Sequence, residues 1–473
     1  MAMRFMFRSL VVLMAVCPGP AALADRPAIE QVLGQMSSAA AAADADGYLS
    51  HVSHADPIFF KEQSNWAKDL KRKPPAGVTF TIGEARDDDA APEFGDSVAR
   101  FEMVTTWSMP TSDGSEPRAR DVSYPVRFVL EGGNWLYAGE DWLVLEGGNE
   151  DAGGHAGNPG AGTPSVDSPP KGASEPAESD RPAPRPRDER FQGSASRAEP
   201  ETAAHAHHNP LERTARVKYF PGYEEVARRI VQVLPEVRDH VDEGFGERIP
   251  RAQEVKIYPS MRHLQESIYL SYVDGLSGWN EPGESIKILT RPTTSPRALR
   301  SLLAHEYGHV ATFALGPKAN DMPWWILEGV AELAAERYVG NGSGHNAEAM
   351  VIMWHNAGRL SPWDDLADFH KVQESAERDL QGKVYKQGQH MLMFISDTFG
   401  RDARTAWLRE MANGRSVDEA SRDALKMPFA EVDTKWRAAV DALAAKAAAE
   451  KLAKESEPPR DKSKPSTTPK PKG

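Results

Sequence analysis

Cysteine is almost missing from this chain. The single residue, Cys17, sits in the first twenty of 473 positions. A thiolate zinc site, a cysteine nucleophile and a disulfide framework are therefore excluded from the remainder, and any metal must be held by His, Asp or Glu. Basic charge is also in deficit. Lys and Arg number 56 against 69 Asp and Glu, a formal net charge of -13, which argues against general nucleic-acid binding. Long apolar runs are lacking as well: no segment reaches the roughly twenty apolar residues that a membrane-spanning helix needs.

What is present begins with an export signal. Arg4 and Arg8 precede an apolar run from Ser9 to Val16, Pro18 and Pro20 break it, and Ala22 and Ala24 are the small residues a signal peptidase reads. Residues 1–24 are read as a signal peptide cleaved after Ala24, with a bacterial periplasm as the expected address. Lipid attachment at Cys17 is the minor alternative, disfavoured by the bulky Val16. After cleavage no transmembrane segment is expected. The length of the remainder suggests two or three domains.

From 27 to 146 the pattern is helical and then alternating. Ile29, Val32, Leu33 and Met36 recur at helical spacing, and a short helix is expected around Ser64 to Leu70. Strands follow at Val78–Ile82, Val98–Val104, Val122–Leu130 and, more loosely, Trp135–Leu145, with Gly132-Gly133-Asn134 as a hairpin turn. This is an α+β order. It resembles the nuclear-transport-factor-2-like (SnoaL-like) cone fold over about 120 residues. The resemblance implies a sheet curled around a cavity, a place for a ligand or partner. Trp66, Trp107, Trp135 and Trp142 are read as core ahead of pocket lining, and His51, His54 and Asp56 as a polar loop. Residues 147–210, rich in Gly, Pro, Ala and Ser, are too poor in apolar side chains to offset the entropy of ordering, and are read as a disordered linker. Its His205, His207 and His208 suggest at most weak metal binding.

The third region, 211–443, carries the chemistry. A helix over Tyr223–His240, a strand over Glu254–Tyr258, a short helix near Met261–Ser267 and a strand over Ser285–Leu289 lead to His305-Glu306-Tyr307-Gly308-His309. Positions i and i+4 share a helix face, so His305 and His309 can aim at one ion, with Glu306 beside it to take a proton from water. Ser295 and Pro296 open that helix, and Gly316-Pro317 closes it. Two buried histidines cost free energy unless something binds them. A catalytic zinc site needs a third protein ligand, and Glu328, nineteen residues after His309, lies on the next helix, which begins at Pro323. Glu332, one turn on, can accept from the second nitrogen of a liganding histidine. Gly329 and Ala331 are small enough to let the two helices approach.

Here the sequence resembles the gluzincins, most closely the peptidase MA-like family, through H-E-x-x-H followed by Trp325-Ile326-Leu327-Glu328-Gly329-Val330-Ala331-Glu332. The resemblance implies one zinc ion per chain on His305, His309 and Glu328, Glu306 as general base and Glu332 as the partner of a liganding ring. It extends through Gly358–Trp363, the helix from Tyr385 towards Gly400, and Trp407 to Trp436. Because some gluzincins use a tyrosine from a later helix, Tyr385 is the candidate oxyanion stabiliser and His390 a second one. Residues 444–473 are an Ala-, Lys- and Pro-rich tail.

The expected molecule is thus an α+β protein of two domains, cone-shaped then mainly helical with a small sheet. The expected activity is hydrolysis of a peptide or protein substrate. The competing reading is a non-catalytic zinc-binding envelope adaptor, whose usual mark is loss of the general base; Glu306 is present.

Overall fold

The computed structural model describes residues 20–85, 98–110, 116–147, 215–246, 248–249, 253–268, 276–339, 347–377 and 379–456. Cys17, most of the signal reading, the linker histidines and the end of the tail lie outside them. The described residues form a mixed α and β protein that divides into two compact units.

In the first unit, α1 (Pro20–Ala41), α2 (Ala45–Leu49) and α3 (Pro57–Arg72) precede β1 (Gly77–Ala85), β2 (Val98–Ser108), β3 (Arg120–Glu131) and β4 (Asn134–Glu140), an antiparallel sheet in the order β1-β2-β3-β4. Alternate residues of β2, from Ala99 through Phe101 and Met103 to Trp107, are buried, the period-two pattern of a sheet with one covered face. Ile29, Leu33 and Met36 of α1 and Phe59, Trp66 and Leu70 of α3 share the same core. Trp66, Trp107 and Trp135 belong to that core, and Trp142 packs against it. Helix α3 begins earlier than expected. Asp56 accepts from the amides of Ile58 and Phe59 at 3.0 and 3.1 Å, a cap that turns the Ile58-Phe59-Phe60 patch into the first helical turn.

The loose strand expected over Trp135–Leu145 is two strands. Gly139 has φ +90°, and a Cβ there would meet the Phe59 ring at 2.8 Å, so the chain bends and leaves the sheet. Beyond the bend, β5 (Leu143–Gly147) pairs antiparallel with β6 (Ala215–Tyr219). After α4 (Glu224–Phe245), β7 (Gln253–Tyr258) lies parallel to β6; after α5 (Met261–Ile268), β8 (Gly278–Trp279) and β9 (Ile286–Leu289) complete a second sheet ordered β5-β6-β7-β9-β8. The first unit takes in residues up to 153, 207–235 and 250–299. Strands β6 to β9 thus group with the amino-terminal region across the expected boundary at 210. Ion pairs accompany the shared sheet: Lys218 with the half-buried Asp56 at 2.8 Å, and Lys256 with Glu62, both buried, at 2.5 Å. A cavity of about 10 Å³, lined in part by Glu62, Trp66, Tyr137, Glu140, Tyr258 and Glu266, has room for about one water.

The second unit takes in 236–249 and 300 onward. Its regular elements among the described residues are helical: most of α6 (Pro296–Ala314), then α7 (Trp324–Ala335), α8 (Ala347–Asn356), α9 (Phe369–Glu374), α10 (Leu380–Phe399), α11 (Arg401–Ala412), α12 (Val417–Ala420) and α13 (Phe429–Ser456), with short 3-10 and π turns between. Trp325, Trp354, Trp407 and Trp436 are fully buried at its centre. No helix among the described residues is long and apolar enough to cross a membrane.

Candidate metal centre

Helix α6 starts where its capping residues place it, with Ser295 Oγ accepting from the Ala298 amide at 3.2 Å. Inside it Leu299, Leu303 and Val310 are buried, which fixes the face that carries the histidines. Tyr307, between the two histidines, donates to Asp242 Oδ1 at 3.1 Å under the guanidinium of Arg238. Gly308 sets the approach of α7. A Cβ at that position would lie 3.0 Å from Ala331 Cα and 3.1 Å from Ala334 Cβ.

That approach brings three donors together. Ligand atoms of His305, His309 and Glu328 all lie within 4.8 Å of one another. Glu328 Oε2 faces His305 Nε2 at 3.3 Å and His309 Nε2 at 3.6 Å, and it is buried with no hydrogen bond of good geometry. The other oxygen, Oε1, accepts from Trp324 Nε1 at 2.8 Å. On the far side of the first ring, His305 Nδ1 lies 3.3 Å from Glu332 Oε1, which orients the ring and leaves Nε2 for the centre. Lys386 of α10 bonds the second oxygen of Glu332. Glu306 is buried on α6 beside these groups.

Electrostatics follows the geometry. Burial disfavours a charged His305, yet the carboxylates of Glu328 and Glu332 beside its two ring nitrogens override it and raise its pKa well above 6.5. Glu328 is held well below the carboxylate range because His309 and His305 outweigh burial. Glu332 is lowered to about 2, burial being overcome by His305 and Lys386. A buried carboxylate oxygen aimed at two imidazole nitrogens is a donor set suited to a divalent cation.

The structure brings some of the residues singled out from the sequence together and leaves others elsewhere. His305, His309 and Glu328 converge, Glu332 lies against the His305 ring, and Glu306 is buried and near enough to act on the charge of His305. Tyr385 joins them, its ring stacked 6.1 Å from that of His305 and its hydroxyl hydrogen-bonded to Gln381. Burial and the Glu328 charge raise its pKa, so it remains an O–H donor. His390 does not reach the site: its Nδ1 accepts from Trp436 Nε1 at 2.9 Å in the core. Gly329 also differs from expectation. It faces α10, where a Cβ would meet the Gly388 backbone at 2.6 Å, while Ala331 serves the α6 contact. Trp324 and Lys386 were not assigned from sequence. The first was legible as an i, i+4 partner of Glu328; the second comes from 54 residues beyond Glu332 and has no local signal.

Fold and site together define a mixed α and β protein with a His-His-Glu cluster able to hold a metal ion. No family model and no curated protein matches the chain. Among solved structures it is similar to a mutant M1 zinc metallopeptidase from Deinococcus radiodurans, at 17% identity and a TM-score of 0.29, over 50% of this chain and 50% of that one. The chain thus spans about half the length of that peptidase. It is also similar to a protein of unknown function from Mycobacterium tuberculosis, at 12% identity and a TM-score of 0.20, over 26% of this chain and 73% of that one. At such scores the reading rests on the site's own residues.

Proposed function

We propose that the chain is an exported zinc-dependent metallopeptidase of gluzincin type, acting on a peptide or protein substrate in a periplasm. One observation carries the reading: His305, His309 and Glu328 converge on one point with Glu306 on the same helix and the His305 ring oriented from behind by Glu332. His305, His309 and Glu328 would hold the ion, which would supply Lewis acidity, lowering the pKa of a water to about 7 and polarising a carbonyl. Glu306 takes the proton of the attacking water and passes it to the leaving amine. Tyr385 donates a hydrogen bond from its hydroxyl to the developing oxyanion and keeps its proton.

The test uses the full-length chain, because β6 pairs with β5 and the buried Lys218 and Lys256 need Asp56 and Glu62. Metal content is measured first, then cleavage of a peptide library with and without chelator. Glu306→Gln should keep one zinc per chain and lower turnover by about 10²–10⁴-fold, the usual worth of a general base. A chain without metal, or cleavage indifferent to chelator, sinks the reading. Zinc held by a wild type that cleaves nothing favours the adaptor.

A further inference from the structure

The two carboxylates that touch the histidines are themselves held by different chemistry. Glu328 receives a neutral donor, the Trp324 indole, on its outer oxygen. Glu332 receives a cation: Lys386 Nζ bonds Oε2 while Oε1 lies 3.3 Å from His305 Nδ1. The ammonium is itself fixed, since Gln389 Oε1 lies 3.4 Å from it and Gln389 Nε2 donates to the Glu332 carbonyl at 3.4 Å. Helices α7 and α10 meet at Gly329 and Gly388 with backbone against backbone, so the lysine is delivered by a rigid contact and not by a loop.

We propose that Lys386 is a positioning residue for the metal centre, acting through Glu332 on His305. The inference rests on the zinc peptidase reading. Two physical effects support it. A glutamate side chain tied at both oxygens cannot swing away from the imidazole, so Nδ1 keeps its acceptor and Nε2 keeps its direction. Charge also closes: Glu306, Glu328 and Glu332 carry three negative charges, which one ammonium and one divalent cation cancel. Removing the ammonium leaves the loaded centre one charge short and Glu332 held from one side only.

The experiment measures zinc affinity and zinc release on the full-length protein by competition with a chromophoric chelator. Lys386→Met should weaken zinc binding by roughly 10–100-fold, the usual effect of losing an outer partner of a ligand, and Lys386→Arg should recover most of it. The Lys386→Met, Glu332→Gln double variant should bind no more weakly than Glu332→Gln alone, because both changes break one relay. Lys386→Gln replaces the methionine variant if that protein fails to fold, with the same expectation. Zinc affinity within about twofold of wild type in the neutral variants, or losses that add in the double variant, overturns the proposal and leaves the peptidase reading intact. A wild type that binds no zinc removes both.

Discussion

A single indole decides which oxygen of Glu328 faces the histidines. Trp324 Nε1 donates to Oε1 at 2.8 Å, and Oε2 is left towards His305 and His309. Trp324→Phe keeps an aromatic ring towards Phe369 and Tyr385 and removes the N–H together with the fused part of the indole. The carboxylate then gains a rotation it lacks in the native site, and zinc affinity should fall by about tenfold or more. Chelator competition reads this directly, and an unchanged affinity would show that α6 and α7 alone orient Glu328. At this scale the sequence was informative wherever the partners were helical neighbours. His305, His309, Glu328 and Glu332 follow from i, i+4 spacing on two helices. Trp324 shares that spacing with Glu328, but an indole on a buried helix reads equally as packing. Lys386 depends on a tertiary contact and leaves no trace in local pattern.

At the scale of elements, the contact of α7 with α10 makes the site what it is, because it delivers Tyr385 and Lys386. Gly388 allows it: a Cβ there would lie 2.3 Å from the Trp325 carbonyl oxygen, a backbone atom that cannot step aside. Alanine gains roughly 1 kcal/mol over glycine in a helix interior, while overpacking costs typically about 1–3 kcal/mol. With backbone on the other side of the contact, the cost should win. Gly388→Ala is therefore expected to lower the melting temperature and weaken zinc binding together. Gly382, on the same helix with nothing within 4 Å of its would-be Cβ, is the control, and Gly382→Ala should raise the melting temperature or leave it unchanged. If both variants behave alike, the close approach at Gly388 does not matter. Helix ends were largely legible from capping chemistry, as Ser295 and Pro296 show. The division of Trp135–Leu145 into β4 and β5 was not, since Gly139, at φ +90°, packs against the Phe59 ring, a residue eighty positions away. Nor was β6 anticipated, because a buried Lys218 hides its inward face.

In the second sheet of the first unit, the sequence pattern misled where ionisable side chains are buried. Glu254-Val255-Lys256-Ile257-Tyr258 alternates like a strand with a wet face, yet every residue of β7 is buried. Lys256 and Lys287 are neutralised by Glu62 and Glu284, whereas Glu266 has no such cation. It accepts from Tyr124 at 2.8 Å and from Thr105 at 3.4 Å, and burial together with the nearby Glu140 pushes its pKa up from 4.5 to about 8. The sign of the linkage follows. Between pH 4.5 and about 8 the native protein keeps a proton that the unfolded chain has released, so stability falls as pH rises through that window. Glu281, raised to about 7, and Asp69, raised to about 6, both mainly by burial, act in the same direction, so a single melting curve does not isolate Glu266. The difference between wild type and Glu266→Gln does, because the other groups are common to both. A glutamine stays neutral and can still accept from Tyr124. Melting temperatures measured at half-unit steps from pH 5 to 8 should therefore show the wild type losing stability relative to the variant as pH rises. A difference that stays constant across the window would mean that Glu266 is ionised within the fold, and that some group near it supplies the positive charge.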